Sequence, residues 1–513
     1  MDFYGFARLF VVFTLVALVA LSTTESSADE SGQWLEVSTE HFLVRTNTSR
    51  DKALELATDL EKYRFLISYL SGVQTQDVPS PPLIVYAFDT LAEYHERTGA
   101  RGTLGFYVSR PEGPLSVLSL EDGEEDWQSS GKQVLFHEYT HHILHQFSPI
   151  QYPRWYDEGF AEYLSMVEFD GDDAIIGKAA LHRAPSLKNQ RSWLRAHEIV
   201  DSKGRYIGHI GTNVMRDPRR GRTGTRMQYA QGWLMVHYLH SRPELQRGIG
   251  PWLMAVNRAD VDDEKAFEQA FGMNLRQFDR EVRRYWDDAR LAMGRVEIGS
   301  KLPPIEPEVR EIPGAEADAL RYEPIILANG ASQVPASLAR KAFEQCIDEG
   351  IRVNDMRLSL IKLALADKDW EESQRQIDQL LATDPDNAPG LTASIELQRR
   401  KKDDKLDAET ALALREQARQ VILKNPAHVP ALMQYADLTF KHELELDRNI
   451  NSVVESIRFL APGLTEGQVF EARLFARKGA TEEARAILDE LIKWSRSSDQ
   501  AIRLQEIRRE LIG

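Results

Sequence analysis

Cysteine is almost absent from this chain: Cys346 is the only one in 513 residues. No disulfide can form within one molecule, and the lone thiol reads as a small apolar side chain buried in a helix. A chain this long can build cores that need no such staples, and two or three domains are expected. Positive charge is also short. Lys and Arg number 63 against 79 Asp and Glu, a formal net charge of −16. That deficit argues against a nucleic-acid partner, because phosphate binding calls for surplus Lys and Arg on one face. Long apolar runs are lacking too. The one candidate, residues 9–21 (LFVVFTLVALVAL), is too short to span a bilayer comfortably and has the length of a signal-peptide core.

What flanks that run fits export. Arg8 precedes it, and Ser26-Ser27-Ala28 supplies the small residues of a cleavage site. Residues 1–28 therefore read as a signal peptide, and the remainder as periplasmic or extracellular. Asp2 offsets Arg8, so the alternative is an uncleaved segment that anchors the chain in a membrane. No Cys follows the run, which excludes a lipoprotein anchor.

Beyond residue 28 the pattern divides in three. Residues 34–47 (WLEVSTEHFLVRTN) read as a β-hairpin turning near Thr39-Glu40, and residues 51–70 have helical spacing through Leu54, Leu60, Tyr63, Leu66 and Leu70. Residues 82–88, 104–108 and 113–120 are strand candidates, and residues 128–292 are mostly helical in pattern. Pro303, Pro304, Pro307 and Pro313 mark an extended linker over residues 297–316, since their rings disfavour helix and leave backbone unpaired. Residues 317–513 are helical throughout. Asp384-Pro385, Asn425-Pro426 and Ala461-Pro462 punctuate amphipathic segments that carry the small residues Ala364, Ala366, Ala431 and Ala436. This spacing resembles tetratricopeptide helical hairpins, which implies a stacked solenoid. Such a solenoid either supports the first domain or offers a concave surface to a partner protein.

The chemistry lies between. Residues 137–141 read His-Glu-Tyr-Thr-His within a segment from Lys132 to Phe147 that has neither Gly nor Pro. On a helix, positions i and i+4 share a face, so His137 and His141 can aim at one ion, while Glu138 projects beside them toward a water. His142 and His145 are read as non-ligating, because they point round the helix. After Pro153 comes Trp155-Tyr156-Asp157-Glu158-Gly159-Phe160-Ala161-Glu162, a second helix with Asp157 as its cap. Glu158 can complete a set of two His and one carboxylate that leaves one position open. Gly159 and Ala161 are small enough for this helix to pack close against the first, and Glu162, one turn on, can orient a ligand His.

These two segments resemble the gluzincin metallopeptidases of the peptidase-MA-like type, whose pattern is HExxH followed by a D-E-G-x-A-E helix. The resemblance spans roughly residues 34–292. It implies an α+β zincin-like catalytic domain, with a small mixed sheet and active-site helices, over residues 29–296, followed by the all-α tetratricopeptide-like solenoid. It implies one Zn2+ held by His137, His141 and Glu158, Glu138 as the general base, and Glu162 behind His137. Tyr229, in Tyr229-Ala230-Gln231-Gly232 at the expected start of an apolar helix, is the implied oxyanion donor, with Tyr156 and Tyr238 as alternatives. No G-A-M-E-N segment precedes His137, so an endopeptidase is expected rather than an aminopeptidase. Residues 113–120 stand in its place as an edge strand for the peptide backbone. The Gly- and Pro-containing stretch from Arg216 to Arg226 is expected to be a loop.

The function implied is hydrolysis of peptide bonds, in a peptide or protein substrate, by a zinc-activated water. Two other readings remain: a non-catalytic binding or assembly protein working through its helical region, and a zinc hydrolase of a non-peptide bond.

Overall fold

The computed structural model describes residues 33–75, 80–121, 130–200, 218–258, 261–328, 330–493, 495 and 498–513, with side chains of 218–226 excluded. The expected signal peptide lies outside them. Among the described residues, no helix is long and apolar enough to cross a membrane.

The amino-terminal region is built on a six-stranded mixed sheet. Strands β1 (Leu35–Ser38) and β2 (Phe42–Thr46) form the expected hairpin, with Val37 opposite Val44. After helix α1 (Arg50–Ser71), strand β3 (Leu83–Phe88) runs parallel to β2. Helix α2 (Leu91–Thr98) and strand β4 (Gly105–Val108) follow, and strand β5 (Leu115–Ser119) lies parallel to β3 and antiparallel to β4. Side chains alternate across β3. Leu83, Val85 and Ala87 enter the core beneath α1, while Tyr86 and Phe88 enter a second core with Trp34, Ile312 and Leu320. A strand covered on both faces reads as continuously apolar, as LIVYAF does.

Strand order is β4-β5-β3-β2-β1-β9, where β9 is Glu308–Glu311, and it corrects two expectations. Residues 113–120 are not at an edge: β5 is internal, and β4 takes the edge. The expected linker is not unpaired either, because strand β9 (Glu308–Glu311) joins the sheet antiparallel to β1. Its prolines stand outside the four paired residues, and Arg310 lies opposite Glu36 at 2.9 Å, a cross-strand charge pair that favours this register.

Helices α3 (Gly131–Phe147) and α4 (Arg154–Ser165) follow β5. Strands β6 (Glu168–Asp170) and β7 (Asp173–Ile176) then form a small second sheet with β8 (Gly294–Glu297). Between them come the short helices α5 (Ala184–Leu187) and α6 (Ala196–Val200) and the long helix α7 (Pro218–His240). The expected loop at 216–226 is therefore helical from Pro218 onward. Proline suits a first helical position, where its missing N–H has no intrahelical partner.

From Gly314 to the end the described chain is all helix and turn. The proline-marked breaks fall where expected, directly after helices Trp370–Thr383, Ala408–Lys424 and Ile450–Leu460. Cys346 is buried in helix Ala336–Asp348. A buried ion cluster joins this region to the sheet: Glu323 accepts from Arg352 at 2.7 and 3.0 Å, from Tyr86 at 2.9 Å and from Arg45 at 3.3 Å.

Candidate metal centre

Helix α3 is placed by contacts at its start and along its length. A Cβ on Gly131 would lie 1.7 Å from the carbonyl oxygen of Ser119, so only glycine lets the helix begin so close to the end of β5. Ser130 and Gln133 close a reciprocal cap around the first turn. Further along, Phe136 stacks on Tyr63 of α1 (3.9 Å between centroids), and the Thr140 and Tyr63 hydroxyls share a 2.6 Å hydrogen bond. These contacts fix the rotation of α3 and turn His137 and His141 toward α4.

Helix α4 is held from its other side. A Cβ on Gly159 would meet the carbonyl oxygen of Gly232 at 2.4 Å, and one on Gly232 would meet that of Trp155 at 2.8 Å. The close approach that the small residues were expected to give α3 is thus made with α7. It also brings Tyr229, one turn before Gly232, beside the site. Tyr229 lies inside α7 and does not open a helix, since α7 already begins at Pro218.

The three ligand candidates on the two helices converge. The Nε2 atoms of His137 and His141 are 3.2 Å apart, and each is 3.3 Å from Glu158 Oε2. Behind them, His141 Nδ1 meets Asp157 Oδ1 at 2.9 Å and His137 Nδ1 meets Glu162 Oε2 at 3.5 Å. With both Nδ1 atoms facing carboxylates, the N–H of each ring belongs on Nδ1, and the Nε2 lone pairs face inward. Three lone-pair-bearing atoms then point at one spot, and Glu158 Oε2 has no hydrogen-bond partner although it is buried. Lone pairs so placed repel unless a proton or a metal cation lies among them. Donors about 2.0–2.1 Å from a tetrahedral zinc stand about 3.3 Å from one another, which matches this triangle.

The protonation preferences have the same origin. Burial opposes charge on His137, but the neighbouring carboxylates of Glu158 and Glu162 override it and hold the ring up at about 8. Burial likewise works against His141, and the charges of Asp157 and Glu158 raise it to about 10. Burial would raise Glu158, yet the two imidazoles bring it down to about 2. The cluster draws positive charge to itself.

Several partners had no sequence signal. Arg183 grips Glu162 with two hydrogen bonds of 2.8 and 2.9 Å, and His182 joins the same carboxylate. Asp157 is not the helix cap, since α4 begins at Arg154 after Pro153. Its second oxygen instead meets His145 Nε2 at 3.1 Å, so His141, His145 and Asp157 form a second grouping that could hold an ion. His142 bonds the Tyr107 hydroxyl at 2.7 Å, and burial lowers it to about 3. Its ring is turned to Tyr107, and burial keeps it neutral.

No family model matches the chain, and no solved structure matches it. It is similar to the uncharacterized protein YhcO of Bacillus subtilis (strain 168), with 22% identity over 315 residues, which are 56% of this chain and 88% of that protein.

Glu138 and Glu158 face a cleft of about 310 Å³ beside His141 and His145. The Tyr229 ring is 6.3 Å from that of His137, with the Arg183 guanidinium over it at 5.0 Å. Burial and then the Glu158 charge raise the Tyr229 phenol far above its ordinary value, so it keeps its proton. The alternatives are placed elsewhere. Tyr156 is buried with its hydroxyl 3.3 Å from His240, and Tyr238 lies between Phe278, Tyr285 and Arg242.

Proposed function

We propose that this chain is an exported zinc peptidase of the gluzincin, peptidase-MA-like type, with a zincin-like catalytic region and a tetratricopeptide-like helical region. The observation that carries the reading is the triangle of His137 Nε2, His141 Nε2 and Glu158 Oε2, with edges of 3.2 to 3.3 Å and no donor to satisfy the carboxylate oxygen. Bound zinc would supply Lewis acidity, making a water acidic and polarising a carbonyl.

The chain's own residues divide the remaining work. Glu162 and Asp157 keep the Nδ1 protons of His137 and His141 in place, so that both Nε2 lone pairs stay directed inward. Glu138 accepts a proton from the attacking water and returns it to the leaving amine as general acid. The Tyr229 hydroxyl, held protonated, donates to the oxyanion of the tetrahedral stage. The edge strand β4 contributes Tyr107 to the cleft and, as the end strand of the sheet, can hydrogen-bond an extended peptide.

Cleavage of a peptide library, run with and without a chelator, tests the reading. Chelator-sensitive cleavage restored by zinc is expected. Zinc-loaded protein that cleaves no peptide would defeat it in favour of a non-peptide bond or a binding role.

A further inference from the structure

The cleft over Glu138 and Glu158 has a second wall, and that wall comes from the far end of the chain. Gly463, Thr465, Gln468 and Gln500 line it. Thr465 and Gln468 lie in the first turn of helix Thr465–Arg477, and Gln500 in helix Ser498–Ile512 donates to the Thr465 hydroxyl at 3.2 Å. The wall is fastened to the metal-site helix itself. Gln146 of α3 donates to the Leu460 carbonyl at 3.1 Å and accepts from the Gly463 N–H at 3.3 Å.

It is also fastened away from the cleft. Arg110 donates to the Leu327 carbonyl at 3.2 Å, Lys362 pairs with Glu112 at 3.5 Å, and the Glu323 cluster ties Arg45 of the sheet to Arg352. Helices Val353–Asp367, Ala388–Lys401, Val429–Lys441 and Thr465–Arg477 touch one another in succession. A cavity of about 710 Å³ lies between this row and the sheet, with Leu358, Pro389 and His428 on one side and Arg110 and Glu112 on the other. The face that would serve an outside partner is turned toward the protein's own sheet.

We infer that the helical region is a fixed wall of the substrate site, and that it admits only extended, unfolded polypeptide, recognised through its backbone. This deepens the peptidase reading and rests on it for the position of the bound chain across Glu138. Two features carry it. The cleft is lined on one side by α3 and α4 and on the other by the helical region, and the two walls are bonded together at Gln146, so a chain that reaches Glu138 passes between them. The walls also present the Gln151 and Gln468 carboxamides and the Thr465 hydroxyl. A carboxamide both donates and accepts, matching the N–H and C=O that every peptide unit offers whatever its side chain. Gln468 has no hydrogen-bond partner among the described residues and is available for that role.

The test uses the full chain carrying Glu138→Gln, so that nothing is cut. Native ribonuclease A and the same protein reduced and carbamidomethylated are compared by fluorescence anisotropy, with hydrogen exchange followed at residues 154–165 and 460–468. The unfolded form is expected to bind at least roughly tenfold tighter, a difference of about 1.4 kcal/mol, and to slow exchange at both sites. Gln468→Trp, which narrows the cleft from the helical side, is expected to weaken that binding about tenfold with metal content unchanged. Equal binding of both forms, no binding of either, or slowed exchange on the α4 side alone would overturn the inference. Unfolded chain held at both walls by a protein whose parent cleaves nothing would sink the peptidase reading and leave this inference standing. Equal cleavage of both forms by the parent would do the reverse.

Discussion

Two clusters of buried charge in this fold differ in how their partners are matched. Around Glu323, two guanidiniums and a phenol surround one carboxylate, and both of its oxygens accept hydrogen bonds. Around Glu158, two ring nitrogens and a carboxylate oxygen face one another with lone pairs inward, and the oxygen is left without a donor. Buried charges matched by their neighbours hold the chain together, whereas buried acceptors that face one another can take up a cation. The first cluster is a fastening, and the second is the observation on which the proposed zinc site rests.

Substitutions can separate the two. The largest effect is expected from Glu138→Gln, which should lower peptide cleavage by about 10²–10⁴-fold while zinc content and melting temperature stay near the parent's. A full-activity variant would remove Glu138 as the base. Next, Glu323→Gln leaves Arg45 and Arg352 buried with one partner fewer, and should cost about 3–5 kcal/mol of stability in denaturant unfolding without loss of zinc. The cluster is also sensitive to pH in a defined direction. Burial opposes the Glu323 charge, but Arg352 and Arg45 override it and lower the carboxyl below 4.5. Its stabilisation is therefore present above that value and lost as pH falls beneath it. The parent should lose stability there more steeply than Glu323→Gln, and identical acid profiles would contradict the assignment.

Tyr229→Phe comes third, with an expected loss of about 10²–10³-fold in turnover and unchanged zinc binding. An unchanged rate would assign the oxyanion to another donor. The smallest effect is expected from Gly232→Ala. Its Cβ would press on the Trp155 carbonyl at 2.8 Å, so α4 and α7 must part, costing about 1–3 kcal/mol in thermal unfolding.

Local order was readable in the sequence and long-range order was not. The i, i+4 spacing of His137 and His141, and the turn from Glu158 to Glu162, are properties of single helices, so the residues themselves state them. The apolar run of β3 and the prolines after Thr383, Lys424 and Leu460 are local in the same sense. Arg183 and His182 reach Glu162 from a separate turn, and no pattern in their neighbourhood announces it. Gly159 signalled a close approach but not the partner, which proved to be Gly232 on α7. Strand β9 was hidden because its prolines flank a paired segment too short to show a period. The second wall of the cleft depends on Gln146 meeting residues more than three hundred positions away, and such a contact has no local signature at all.

The central claim is a zinc site made by His137, His141 and Glu158, and metal analysis tests it most directly. Protein purified without chelator and dialysed against metal-free buffer should retain about one zinc per chain, and Glu158→Ala should lose it while remaining folded by circular dichroism. A parent protein that holds no zinc after incubation with the metal, or a Glu158→Ala variant that holds it as tightly as the parent, would contradict the account.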